Sequence, residues 1–181
     1  MLFWGCDVEY HSEEQQLLNI LIRIVDGKHQ GTMTEPDLVI VSEKEVVFVE
    51  CKLNQSGKTS PWMAQGMGAE KRFKTYVREF PELKDIANWS QVYQLIRQYV
   101  FAKLMARYLK KRALVIPLIN KVHEKILLPY YLEVKNSAIN GEGVFCDFIT
   151  WQDVAKMLLK FDHPDKKAIL MKIREALKHA R

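Results

Sequence analysis

The sequence holds few cysteines. Cys6, Cys51 and Cys146 are odd in number and far apart. They make neither a disulfide framework nor a Cys-x-x-Cys metal clamp, so a reducing cytoplasm is the expected location. No apolar run approaches the roughly 18–20 residues that cross a bilayer, and no membrane partner is expected. Met1 to Cys6 lacks a basic region and a full apolar stretch, so a signal peptide is not expected there. The five histidines show no two-His metal spacing. Internal repeats, low-complexity tracts and linker-like stretches are also missing. A chain of 181 residues without such breaks predicts a single domain over residues 1–181.

What is present is a globular composition, 48% hydrophobic and 27% charged. The net charge of +5 suits a polyanionic partner but is mild for a dedicated nucleic-acid binder. Two basic clusters, Lys71-Arg72-Lys74 and Arg107-Lys110-Lys111-Arg112, are candidates for phosphate contact, although such runs are more often solvated helix faces. Trp62, Phe73, Tyr76 and Trp89 are expected in the core or at its rim, with base stacking the minority reading.

Ser12 followed by Glu13, Glu14 and Gln15 reads as a helix N-cap, and Leu17, Leu18, Leu21 and Val25 recur at helical spacing. Asp26-Gly27-Lys28 stops that helix, and Gln30 to Thr34 reads as a polar connection. Leu38–Val41 and Val46–Val49 are β-branched runs across the short polar link Ser42–Glu45, which predicts a hairpin. A loop follows Leu53, and Trp62 to Phe80 is expected to be helical in part, interrupted by Gly66 and Gly68. Trp89 to Arg112 is strongly helical in pattern. Ala113–Ile119 is an apolar strand, Tyr131, Leu132 and Val134 suggest another, and Val144–Ile149 a further one. Helices are expected from Thr150 through Leu159 and again after Pro164. The order gives a mixed α/β fold.

On the second hairpin strand, Val46, Phe48, Glu50 and Lys52 share one face, while Val47, Val49, Cys51 and Leu53 share the other. Both faces begin apolar, as in a central strand covered on each side. Glu50 and Lys52 then sit at the end of a largely buried strand, where unpaired charge is costly. A turn centred between Glu43 and Lys44 makes facing residue numbers sum to 87, which sets Asp37 opposite Glu50. Like charges so placed repel. Two carboxylates with a lysine two residues on call for a cation, and their hard oxygens suit Mg²⁺ or Mn²⁺ rather than zinc. Without a metal, Glu50 and Lys52 read as a structural ion pair and Asp37 as a turn cap. Cys51 falls on the opposite face, which argues against a nucleophilic role.

Glu35-Pro36-Asp37, twelve residues, then Glu50-Cys51-Lys52 resembles the Pro-Asp…(Asp/Glu)-x-Lys signature of the PD-(D/E)XK, or restriction-endonuclease-like, superfamily. The acidic helix start at Glu13-Glu14, the helix containing Tyr93-Gln94-Leu95-Ile96-Arg97, and Thr150-Trp151-Gln152-Asp153 opening a late helix also resemble its members. The resemblance implies a central mixed β-sheet with an antiparallel hairpin carrying the site, flanked by helices. It implies that Asp37 and Glu50 ligate Mg²⁺, or Mn²⁺ as a substitute, with the Cys51 backbone carbonyl. Glu14, or else Glu13, would complete the shell. Glu14 is favoured because it lies on the face of Leu17, Leu18 and Leu21. Lys52 would assist the attacking water or stabilise transition-state charge, and Gln94 is an auxiliary candidate. The implied activity is hydrolysis of DNA phosphodiester bonds. An inactive nucleic-acid-binding module, an RNA nuclease and a homodimer all stay open.

Overall fold

The hairpin forms around Ser42, whose backbone N–H donates to the Glu45 carbonyl at 2.8 Å and whose hydroxyl accepts from the Glu45 N–H at 2.9 Å. The computed structural model describes residues 2–4, 12–26, 36–52, 63–64, 68–139, 144, 149–162 and 164–178. Strands β2 (Leu38–Val41) and β3 (Glu45–Lys52) pair antiparallel with Leu38 facing Val49 and Val41 facing Val46. Each facing pair sums to 87, the register that the turn predicts. Strand β1 (Leu2–Trp4) adds antiparallel to β2, while β4 (Arg112–Ile119) and β5 (Ile149–Thr150) add in parallel beyond β3. The sheet is therefore mixed, in the order β1-β2-β3-β4-β5.

A parallel step needs a long crossover. Between β3 and β4 it includes α2 (Ala69–Glu79) and α3 (Tyr93–Leu109). Gly68 stands before α2 at φ 95°, a conformation that strains any residue with a Cβ. Gly66 and the loop at 53–60 lie outside the described residues, as do the connection at 30–34, Trp62, and 145–148 of the expected strand at 144–149. Helix α1 (Glu13–Val25) turns Leu17, Leu18 and Ile22 inward, into the cluster that contains Val46 and Phe48. Val47, Val49 and Leu118 form a second cluster on the other sheet face, where Cys51, Trp151 and Val154 pack. The alternation along β3 thus divides as its sequence predicts, one set of residues to each layer.

The middle of helix α3 is buried on every side: Leu95 through Ala102 are all buried in succession. A helix in this position must partner its polar residues. Arg97 does so with Asp26, just past the end of α1, at 2.9 Å. Tyr76 of α2 donates its hydroxyl to the same carboxylate, and Arg72 donates to the Tyr93 hydroxyl at 2.8 Å. One polar network fastens α1, α2 and α3 together.

The strand expected at Tyr131–Val134 is not there. Residues Glu124–Ile139 form helix α4, with Pro129 inside it. Its buried residues Leu127, Tyr131 and Val134 recur at intervals of four and three, and this helical period outweighs the strand propensity of Tyr131 and Val134. Helix α5 (Trp151–Lys160) starts with a capping box between Thr150 and Asp153, and α6 (Lys166–Lys178) follows. No helix among the described residues is long and apolar enough to cross a membrane.

Removing one partner of the Asp26–Arg97 pair leaves the other charge buried. Arg97→Met is expected to destabilise the protein by about 3–5 kcal/mol in urea denaturation. Asp26→Asn combined with Arg97→Met is expected to cost less than the sum of the single losses, because the double variant leaves no orphaned charge.

Candidate active site

At the far end of β3 the carboxylate of Glu50 is enclosed, with the residue 4% exposed. Strand alternation directs it to the Phe48 side, beneath α3. Both its oxygens are engaged: Oε1 lies 2.7 Å from the Lys52 Nζ, and Oε2 accepts from Gln98 Nε2 at 2.7 Å. Lys52 keeps 22% of its side chain exposed, so its ammonium stands at the boundary with solvent. Asp37 occupies the next hairpin position after the Leu38–Val49 pair and so comes opposite Glu50. Its Oδ2 accepts the Cys51 N–H at 2.6 Å, capping the ladder where β2 has run out.

This arrangement shifts the proton equilibrium of Glu50. Burial, the largest cause, raises its pKa; Lys52 pulls it back, Asp37 pushes it up again, and the bonds from Lys52 and Gln98 favour the charged form. The net direction is upward. The Cys51 thiol is pushed up to about 12 by burial and then by Asp37 and Glu50. Its side chain packs in the opposite layer and stays a protonated thiol, which fits its place on the strand and a non-nucleophilic role.

Of the residues singled out by sequence, Asp37, Glu50 and Lys52 are brought together. Glu14 is half-buried in the first turn of α1 and Glu13 is exposed. Among the described residues, no three His, Cys, Asp or Glu side chains stand close enough to hold a metal, so neither acid joins Asp37 and Glu50 in such a group. The side chain of α3 that reaches Glu50 is Gln98. Gln94 lies one turn earlier on the same face, and its Oε1 is buried without a hydrogen-bond partner. The repeat Gln94-x-x-x-Gln98 on one face of a largely buried helix is the signal that marks Gln98. Asn120 was also missed: its N–H donates to the Lys52 carbonyl at 3.1 Å, and its side chain accepts from Gln152 Nε2 at 2.9 Å. It fastens the start of α5 beside the end of β3.

The first basic cluster is largely committed elsewhere, since Arg72 holds Tyr93 and Lys74 pairs with Glu70. Phe73 stacks on Trp89 at 4.6 Å, and both Phe73 and Tyr76 are buried, which fits a core role rather than base stacking.

The sheet order and its flanking helices define an α/β scaffold of the restriction-endonuclease kind. The chain belongs to the family described as "Restriction Endonuclease associating with ARP", whose model matches residues 5–169. Membership puts it in a nuclease-like class. Comparisons with curated proteins and with solved structures gave no significant match.

The raised pKa of Glu50 has a sign that can be tested. A carboxyl whose folded pKa lies above its unfolded value binds more protons when folded. Its contribution to stability is present below the unfolded pKa and is lost as pH rises through the folded one. Glu50→Gln removes this titration. Relative to wild type, the variant is expected to gain thermal stability as pH rises above the ordinary glutamate range, about pH 4, without added metal. A difference that stays flat with pH, or falls, would contradict the raised pKa.

Proposed function

We propose that the protein is a metal-dependent endonuclease of the PD-(D/E)XK superfamily, hydrolysing phosphodiester bonds of DNA. The observation that carries this reading is the convergence of Asp37, Glu50 and Lys52 at the end of a hairpin, in a family of restriction-endonuclease type. With all three ionised, two negative charges and one positive leave the cluster with a net negative charge. A divalent cation reverses that sign, and positive charge is what a phosphodiester requires. The raised pKa of Glu50 supports the same fit, because it reports a buried carboxylate that its neighbours do not fully compensate.

In this reading Asp37 and Glu50 hold Mg²⁺ or Mn²⁺. The N–H and C=O of one strand residue point toward the same neighbouring strand, so the Cys51 carbonyl faces the side from which Asp37 approaches and is suited to add a third oxygen. Glu14, or Glu13, would complete the shell through an intervening water. When bound, the ion supplies a water of lowered pKa and polarises the scissile phosphate. Lys52 brings its ammonium to the solvent boundary beside Glu50, where it orients the attacking water or offsets charge growing on the phosphate oxygens. Gln98 acts as a positioning residue, fixing the Glu50 rotamer through Oε2.

The Glu50–Lys52 bond equally suits an inactive module that binds nucleic acid without cutting it. Plasmid DNA, single-stranded DNA and RNA incubated with Mg²⁺, Mn²⁺ or EDTA separate these readings. Cleavage of DNA is expected with either metal, none with EDTA, and a loss of roughly 100-fold or more in Asp37→Ala and Lys52→Ala. Metal-independent cleavage, or undiminished activity in both variants, would overturn the site. Salt-sensitive DNA binding without cleavage would favour the inactive module, and cleavage of RNA alone would change the substrate.

A further inference from the structure

At the opposite end of β3 and β4 lies a concavity of about 510 Å³, between the last turns of α3 and the start of β4. That is the size range of small-ligand sites. Four cationic side chains line it: Lys103 and Arg107, one helical turn apart on α3, and Lys111 and Arg112 at the entry to β4. Ala106, Ala113 and Val144 provide the remaining apolar wall. No carboxylate belongs to the lining among the described residues.

The cations are held in place by partners that mostly leave their charge intact. The Arg107 guanidinium lies over the Phe80 ring at 5.4 Å, with Phe80 neutral, so the N–H edge of the guanidinium stays available to an acceptor. Lys111 donates to the backbone carbonyls of Ser42 and Glu43, which fix the ammonium against the hairpin turn and carry no formal charge. Arg112 pairs with the Glu45 carboxylate, and the Lys103 ammonium lies over the Tyr99 ring at 5.9 Å. Attraction to the negative end of α3 accounts for a cation such as Arg107 in the last helical turn. It does not account for Lys111, which is tied to a different element across the concavity.

We infer that this concavity is an anion site for a phosphate-bearing ligand, distinct from the Glu50 end of the strand. Preset guanidinium and ammonium groups on an apolar wall match the charge and the several acceptor oxygens of a phosphate. Five strand residues separate Glu45, paired with Arg112, from Glu50, about 17 Å at the usual strand rise. The two sites therefore cannot share one phosphate. The inference stands whether or not the Asp37–Glu50–Lys52 cluster cuts DNA.

Two sources present this chemistry: the backbone of a nucleic-acid strand and a free phosphorylated molecule. Calorimetric titration of the full chain in EDTA, with pyrophosphate and with a short DNA duplex, distinguishes them. Binding of pyrophosphate is expected, weakened at least about tenfold by Arg107→Gln and by Lys111→Gln and largely restored by Arg107→Lys. Thermal melting confirms that each variant folds, and Arg107, being exposed, is the less disruptive position. If duplex affinity falls in parallel, strand phosphates are the natural occupants; if only pyrophosphate binding falls, the ligand is a free phosphorylated molecule. The site is overturned if neither ligand depends on Arg107 and Lys111, or if Lys160→Gln, an exposed lysine on α5, weakens binding as much.

Discussion

Placing a carboxylate under a helix is expensive, and the enclosure of Glu50 sets terms that the neighbouring elements must meet. Its two oxygens are met from two directions, by Lys52 on its own strand and by Gln98 on the covering helix. Asp37 then brings a second negative charge to the same place, held by the Cys51 N–H. Neither acid can be explained by packing. Apolar residues would close the end of β3 at lower cost. In the proposed reading, the two acids are retained because a cation from outside the chain binds between them.

The same constraint explains helix α3. Its middle is buried on every side, yet it carries Arg97 and Gln98 in succession. Neighbouring residues on a helix point about 100° apart. Arg97 therefore reaches sideways to Asp26 and the helical layer, while Gln98 reaches down to Glu50 and the sheet. A rotation of α3 that improved one contact would break the other. The polar network of Asp26, Tyr76, Tyr93 and Arg72 thus serves the acid end of β3 indirectly, by fixing the helix from which Gln98 hangs.

What could be read in the sequence follows from the range of each interaction. The hairpin register was legible because the polar link at Ser42 to Glu45 and the alternation along β3 are local, and together they place Asp37 across from Glu50. The opposite-face position of Cys51 came from the same alternation. Gln98 was hidden, since a glutamine within a largely buried helix shows its purpose only when the partner, 48 residues away, is in place. The Asp26–Arg97 pair spans 71 residues and leaves no local trace. Helix α4 was misread because Tyr131 and Val134 favour strands individually, while the decisive signal, the spacing of Leu127, Tyr131 and Val134, begins on the other side of Pro129.

Charge is sorted along β3, and this gives the mild net charge of +5 a different meaning. The strand begins beside Lys111 and Arg112 and ends beside Asp37 and Glu50. Opposite charges a strand's length apart, with protein between them, attract only weakly at ordinary salt, where screening acts over about 8–10 Å. Folding stability gains little from that long-range attraction, since each end already pairs charge locally, Glu45 with Arg112 and Glu50 with Lys52. The proposed metal site and the inferred anion site would put two different demands on one strand, acids gathered at one end and cations at the other. The basic end, four cations against Glu45, and the acid end, Asp37 and Glu50 against Lys52, carry opposite net charge, which the whole-chain sum of +5 does not show.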